Sequence, residues 1–416
     1  MIHYADLTWP EIAVLPRHLP LLIPLGRDEY DCVAIIRKLL AEGQLSGAKP
    51  HTAQSGQAVV LPPIPYGFRR AEEDAAGQLH VCPVLLRRVL LGIQRELRAQ
   101  AFEQVVFLNG HGDQGLRAYG LEVIDVPCQR KVGIDFPADL SHRIVVISTG
   151  HTEQHGYHLP LSTDNLIVEA IAQGISDVVP TDVFCLPVWP YGVSTHTREF
   201  PGTLNLGGRV FEDFFLEIVG RLVKLGARMI YFSNGHGGNH SFLVNVVKYA
   251  GERHPHTFVA TEWLHTTGPA LERYRQSKPG GMGHGGELET SYILHLRPDL
   301  VHMDRATTET DFISTPNYTM DWLEAGRLIA NPPWRDDTVS GIYGDGRLGS
   351  ADKGCRWLGA AIDEKLEILQ EIREQHTRRQ VKQTGYQENH VSSSARDSGT
   401  TDPLAQDHPS PTRIGL

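Results

Sequence analysis

Cysteine is scarce and unpatterned in this chain. Five occur (Cys32, Cys82, Cys128, Cys185 and Cys355), the total is odd, and no Cys-x-x-Cys is present. That argues against a disulfide framework and for reduced thiols in a cytoplasmic protein. No apolar run approaches the ~18 residues of a membrane span, so no membrane partner is expected. No basic segment followed by an apolar core stands at the N-terminus, so no signal peptide is expected. Positive charge is not in excess: the formal net charge is -10, which leaves no electrostatic footprint for nucleic acid. What is present is ordinary for a soluble globular protein, 41% apolar and 21% charged. The 416 residues suffice for two or three domains. Histidine is the exception: 21 occur, several beside Gly and Glu.

An internal repeat organises the chain. Asn109-Gly110-His111-Gly112 recurs as Asn234-Gly235-His236-Gly237, and Pro65-Tyr66-Gly67 recurs as Pro190-Tyr191-Gly192, both at an offset of 125. Gly26, closing the apolar run Leu21 to Leu25, matches Gly150 at an offset of 124. Each Asn follows a strand-like run, and each run follows an amphipathic segment (Val84 to Ala99; Val210 to Leu225). Three markers in one order at nearly one offset indicate a tandem duplication of an α/β unit. The first copy is degenerate. Arg27 to Asp31 stands where the second copy has a long histidine-rich stretch; Glu29 and His111 remain, Asp113 is added, and nothing corresponds to His155. The expected domains are a pseudo-domain over 1–136, a catalytic domain over 137–378 and a disordered polar tail over 379–416.

In the second copy, apolar runs alternate with helical patterns: strands over 143–149, 183–188, 228–233 and 257–263, helices over 164–175, 209–225 and 240–253. A helix is expected over 285–296, closed by Pro298, and another over 352–378. Such alternation predicts a layered α/β/α fold with a mostly parallel sheet. In open α/β sheets, sites gather beyond the carboxyl ends of strands, and the polar motifs sit there. Glu153, His155 and Asp164 follow the first strand; their carboxylate and imidazole groups suit Zn, Mn or Fe(II). His236 follows the strand 228–233 within Asn234-Gly235-His236-Gly237-Gly238-Asn239. His284 and Glu287, three apart on one helix face, open a later helix in His284-Gly285-Gly286-Glu287-Leu288-Glu289-Thr290-Ser291. Alone, that last segment reads as an ordinary helix start with acidic residues on the dipole.

Together with Pro190-Tyr191-Gly192-Val193-Ser194 and Phe200-Pro201-Gly202-Thr203-Leu204, these segments resemble the creatininase (creatinine amidohydrolase) family over roughly 139–376. The first copy looks like a shortened member, so the whole chain resembles a fused pseudo-dimer. The resemblance implies an α/β hydrolase with two divalent metals per chain. It implies Glu153 and His236 on one metal, His155 on the other and Asp164 between them. Creatininase takes a further carboxylate two residues after the His of its Asn-Gly-His motif, where this chain has Gly238; Glu287 is the expected replacement. The proton-handling His and Glu fall on His284 and Glu289. Trp263 is expected as an aromatic wall of a substrate pocket that His196 and Tyr191 also border, and no second Trp is seen near His284.

The implied reaction is hydrolysis of a C–N amide bond in a small polar substrate, a cyclic amide or formamide, by a hydroxide bridging the two metals. A lactonase or a small-peptide peptidase could use the same site, and a non-catalytic scaffold with one structural metal is the competing class. His158, His265 and His295 read as structural, Arg198 and Glu199 as an exposed polar loop, and Cys185 as a packed core thiol. A homo-oligomer is expected, with the first copy filling an interface.

Overall fold

The computed structural model describes residues 1–26, 58–68, 79–110, 115–126, 134–312, 314–323 and 327–397, with side chains to Lys382. Glu29 and His111, expected to survive in the first copy, and Asp113, expected as its addition, lie outside the described residues.

The first unit contains β1 (Ile2–His3), α1 (Trp9–Val14), β2 (Leu21–Leu25), β3 (Val59–Val60), α2 (Pro83–Ala99), β4 (Val105–Asn109) and β5 (Glu122–Asp125). Its strands are all parallel, in the order β1-β3-β2-β4-β5. Pro83 opens α2, where a missing N–H costs nothing. Leu86, Val89, Leu90, Ile93 and Leu97 recur every three or four residues and are buried along one face.

The second unit contains β6 (Ile144–Thr149), α3 (Thr163–Val178), β7 (Val183–Cys185), α4 (Gly208–Lys224), β8 (Met229–Asn234), α5 (His240–Arg253) and β9 (Phe258–Thr261). The order is β7-β6-β8-β9, again all parallel. β6 and β8 are buried at every position, as strands covered on both faces must be. Gly226, at φ 100°, ends α4 in the left-handed conformation expected of it. The repeat markers occupy matching register positions: Leu25 pairs with Asn109 in the first sheet, and Thr149 with Asn234 in the second.

One hydrophobic core runs through both units, from Leu21 and Val105 through Leu90 and Phe214 to Ile230. Trp189 stacks on Phe214 (4.2 Å between centroids) and Tyr66 on Trp189 (5.4 Å). Arg88–Asp213 (2.6 Å) and Arg198–Glu96 (2.8 Å) tie the units at the periphery; Arg198 is thus engaged rather than free in its loop.

After β9 come α6 (Ala270–Tyr274), α7 (Glu287–Leu296), the antiparallel pair β10 (Thr308–Glu309) and β11 (Gly344–Asp345), and α8 (Ala351–Asp397). A second core joins α3, α7 and α8 through Ile171, Tyr292 and Trp357. The α8 helix continues to Asp397, past the tail boundary expected at 379. No Pro interrupts the sequence before Pro403, and straight-chain Arg, Gln and Lys residues favour continuation. Among the described residues no helix is long and apolar enough to cross a membrane.

Candidate active site

Three chain segments converge beyond the carboxyl ends of β6 and β8. The first leaves β6 at Thr149 and re-enters α3 at Thr163, which puts Asp164 in the first turn of that helix. Gly156 makes the reversal at φ 73°, and a Cβ there would lie 2.4 Å from the Ile342 side chain. The second segment follows Asn234, whose side chain accepts the His236 amide (3.2 Å) and donates to Trp263 O (2.7 Å). The third runs into α7 and carries His284 and, in the first turn of the helix, Glu289.

Glu153, His155, Asp164, His236, His284 and Glu289 are all buried. The two oxygens of Asp164 are divided between two imidazoles: Oδ1 lies 3.0 Å from His155 Nε2, and Oδ2 lies 3.2 Å from His236 Nδ1. Glu153 Oε1 is 3.0 Å from His236 Nδ1, and Glu289 Oε2 is 3.8 Å from His155 Nε2. The far nitrogen of each ring is committed. His155 Nδ1–H donates to Glu153 O (3.1 Å), His236 Nε2–H to Val193 O (3.0 Å) and His284 Nε2–H to Gln154 O (2.7 Å). The near nitrogen of each ring thus faces the carboxylates, His155 Nε2 as a hydrogen-bond partner of Asp164 Oδ1 (3.0 Å), and would be free to ligate an ion once it gave up its proton, the arrangement that backbone carbonyls impose on metal-ligating histidines.

The charges match. Burial opposes ionisation of Glu153, Asp164 and Glu289, yet all three are held below the usual carboxylate range by neighbouring imidazoles. Burial likewise opposes charging of His155, but Asp164 and Glu289 raise its pKa to about 9, and His236 is raised by Glu153 and Asp164. Glu153 Oε1 and Asp164 Oδ2 accept no hydrogen bond. Buried carboxylate oxygens without hydrogen bonds, beside imidazole nitrogens, are a donor set that suits a hard-to-borderline divalent cation. Three overlapping groups have ligand atoms mutually within 4.8 Å: His151, Glu153 and His236; Glu153, His155 and His284; His155, Asp164 and Glu289.

Two expected residues fall elsewhere. The carboxylate of Glu287 faces away from this cluster. It accepts the amides of Gln276 (2.9 Å) and Ser277 (2.7 Å) and pairs with Lys353 Nζ (2.5 Å). Its lone pairs are spent there, so the expectation of Glu287 as a ligand is corrected; Glu289, expected to handle protons, is the carboxylate that falls in a candidate ligand group with His155 and Asp164. Tyr191 is fully buried, and its hydroxyl donates to Pro62 O (2.5 Å) in the first unit. It closes the interface between the units and does not border the cavity. Gly238 does lack room for a side chain: a Cβ would lie 2.3 Å from Val193 O and 2.4 Å from His236 Nε2.

Further residues join the site. His151 is completely buried, 4.5 Å ring to ring from His236. Gly192 N–H donates to its Nδ1 (2.8 Å), and burial lowers its pKa to about 3. The neutral ring must carry its proton on Nε2, so His151 presents a donor to the cluster and not a lone pair. In extended chain, residues two apart share a side, and His151, Glu153 and His155 show that spacing. His265 Nε2 lies 3.9 Å from Glu289 Oε1, and His158 bonds the Thr290 hydroxyl (2.8 Å). Trp334 sits 5.0 Å from His284 and 4.4 Å from His196, against the expectation that no second Trp lies near His284.

A cavity of about 450 Å³ opens above the cluster. Asp164, His236, His284 and Glu289 form its floor, and His196 and Trp263 stand in its wall. His196 is more enclosed than a polar loop residue would be, and burial lowers its pKa to about 4.

The family model for creatininase, described as creatinine amidohydrolase, matches residues 5–123 and 135–369. A mycofactocin precursor peptide peptidase of Mycobacterium tuberculosis is 29% identical over 236 residues, 53% of this chain and 82% of that protein. A creatinine amidohydrolase of Pseudomonas putida is 30% identical over 179 residues, 39% of this chain and 67% of that protein. Among solved structures, one titled "Creatininase Mn" is 23% identical, covers 56% of this chain and 91% of its own, and has a TM-score of 0.46.

Proposed function

The chain belongs to the creatininase family, and from that premise we propose that it hydrolyses a C–N amide bond of a small molecule, a cyclic amide or formamide, at a centre of two divalent ions (Zn, Mn or Fe(II)). It has the α/β fold of parallel sheets and helices, in keeping with that family. The observation that carries the proposal is the divided carboxylate of Asp164, one oxygen toward His155 and the other toward His236. A single-ion site needs no such division.

Glu153, Asp164 and His236 would hold one ion, and His155, Asp164 and Glu289 the other. Bound there, two such ions supply Lewis acidity and lower the pKa of water toward neutrality. Three carboxylates offset most of the four positive charges. His284 is the proton carrier: Gln154 O fixes its Nε2–H, its Nδ1 lies 3.6 Å from Glu153 Oε1, and burial lowers its pKa so that the ring is a neutral base. It can take a proton from the attacking water and return it to the departing nitrogen. His151 Nε2 is buried without a hydrogen-bond partner among the described residues, a group left over for substrate or an ion-bound water.

Metal-loaded protein should turn over at least one of a panel of cyclic ureides, lactams and formamides, lose activity on dialysis against a chelator and regain it with Zn or Mn. Two bound ions with no turnover across the panel would favour the scaffold reading. Trimming of a small peptide is the second reading, supported by the named activity of the mycobacterial relatives and by a cavity wider than a cyclic amide needs. We also read the first unit as a degenerate copy of the second, supported by its matching register and by the separate family match over 5–123.

A further inference from the structure

Resting on the hydrolase reading, we propose that the substrate carries an uncharged aromatic or bulky apolar group, bound in the outer cavity while its amide lies on the ligand cluster. A volume of about 450 Å³ falls in the ~300–1,000 Å³ range of pockets that enclose drug-sized ligands, and a cyclic amide of a few atoms would leave most of it empty. The surplus is apolar and aromatic. Trp263, Trp322, Trp334, Phe242, Tyr318 and Leu328 wall it. Trp263 and Trp322 meet edge to face at 6.1 Å between centroids. Both indoles converge over Gly237, the residue after His236, where a Cβ would stand 3.5 Å from Trp263 and 3.9 Å from Trp322. Trp334 closes the opposite side against His284 and His196. An aromatic group entering here would have rings on two sides of the reacting centre.

The walls are held before any ligand arrives. The backbone N–H of Trp322 donates to Met282 O (2.8 Å) and that of Trp334 to His196 O (3.1 Å). Asp321, at the rim, is locked by Arg275 (2.5 Å) and by the Gly280 amide (2.7 Å), so its charge is spent. Neither Lys nor Arg is among the described residues lining the cavity, so its wall offers no cation to a second, anionic end of a substrate. Trp263 is 38% exposed and Leu328 58%, apolar surface that such a group would cover.

The test separates binding from turnover. Acetohydroxamate, phenylacetohydroxamate and malonomonohydroxamate share a metal-chelating head and differ in tail. Titrated calorimetrically into the metal-loaded full-length chain, the phenyl compound should bind about tenfold or more tighter than the methyl one, the scale of one buried aromatic contact, and the carboxylate compound no tighter than the methyl one. Trp263→Ala and Trp322→Ala should each shrink the phenyl-to-methyl ratio. A wild-type ratio near one, binding by none of the three, or preference for the carboxylate overturns the proposal. In parallel, N-formylbenzylamine and N-formylmethylamine report turnover. Aromatic preference in binding without hydrolysis of either formamide or of any member of the cyclic-amide panel upholds the pocket and sinks the hydrolase reading; hydrolysis of both formamides at equal kcat/KM does the reverse.

Discussion

Two strand ends in this molecule share a register and differ in what they do. Asn109 closes β4 and Asn234 closes β8, each paired with the last residue of the neighbouring central strand. Asn109 spends its side-chain amide on Asp125 (2.9 Å), at the end of the adjacent strand. Asn234 accepts the His236 amide and donates to Trp263 O, so it places a candidate ligand and a cavity wall together. The hydrophobic strands that build the sheet recur in both units, while the candidate ligands of the second unit stand just beyond its strand ends. The repeated Pro-Tyr-Gly shows a complementary use. Tyr66 and Tyr191 are both buried where the units meet, Tyr66 on Trp189 and Tyr191 on Pro62 O. That sequence is kept in both units for packing.

The comparison is broken most directly at the second strand end. His236→Ala should lower turnover by at least about a thousandfold, because on the proposed two-ion reading the ion beside Glu153 would lose the nitrogen donor assigned to it, whereas His111→Ala at the matching position should leave kcat/KM within about twofold. Equal losses would show that the first unit also carries chemistry. A second contrast lies within one helix. Glu289→Ala should remove an ion, seen by metal analysis of the purified protein, while Glu287→Ala should keep the metal and destabilise the fold. Breaking a buried ion pair such as Glu287–Lys353 costs about 3–5 kcal/mol, readable in urea unfolding. Loss of metal from Glu287→Ala with unfolding unchanged would reverse these roles. His151 Nε2 makes no hydrogen bond among the described residues, so His151→Ala should weaken metal affinity by no more than about tenfold, through loss of the ring packed on His236, measured by competition with a chromophoric chelator. The smallest effect belongs to the unit boundary: Tyr191→Phe should cost about 0.5–1.5 kcal/mol of stability and leave metal content unchanged.

Much of this was legible in the sequence, and the misses have physical causes. Central strands such as β6 and β8 are continuous apolar runs and announce themselves; β1 and β3, two residues each, carry no periodicity. Glu153, His155, Asp164 and His236 stand in short motifs at strand ends, where local spacing already indicates convergence. Glu287 and Glu289 are two apart on a helix, about 200° around its axis, so only one can face the cluster. The deciding partner, Lys353, is 66 residues further on. Trp322 and Trp334 reach the cavity from a stretch without helical or strand pattern, so sequence spacing gave no sign of them. His151 was within reach, since it alternates with Glu153 and His155 on one side of an extended chain.

The central claim is that Asp164 holds two ions at once. Metal analysis of the full chain, purified with Zn or Mn and set beside Asp164→Ala of equal folded content by circular dichroism, tests it most directly. Two ions per wild-type chain and a loss of both, or of all but a weakly held one, in the variant is the predicted result. A single ion in the wild type, or two retained in the variant, would contradict it.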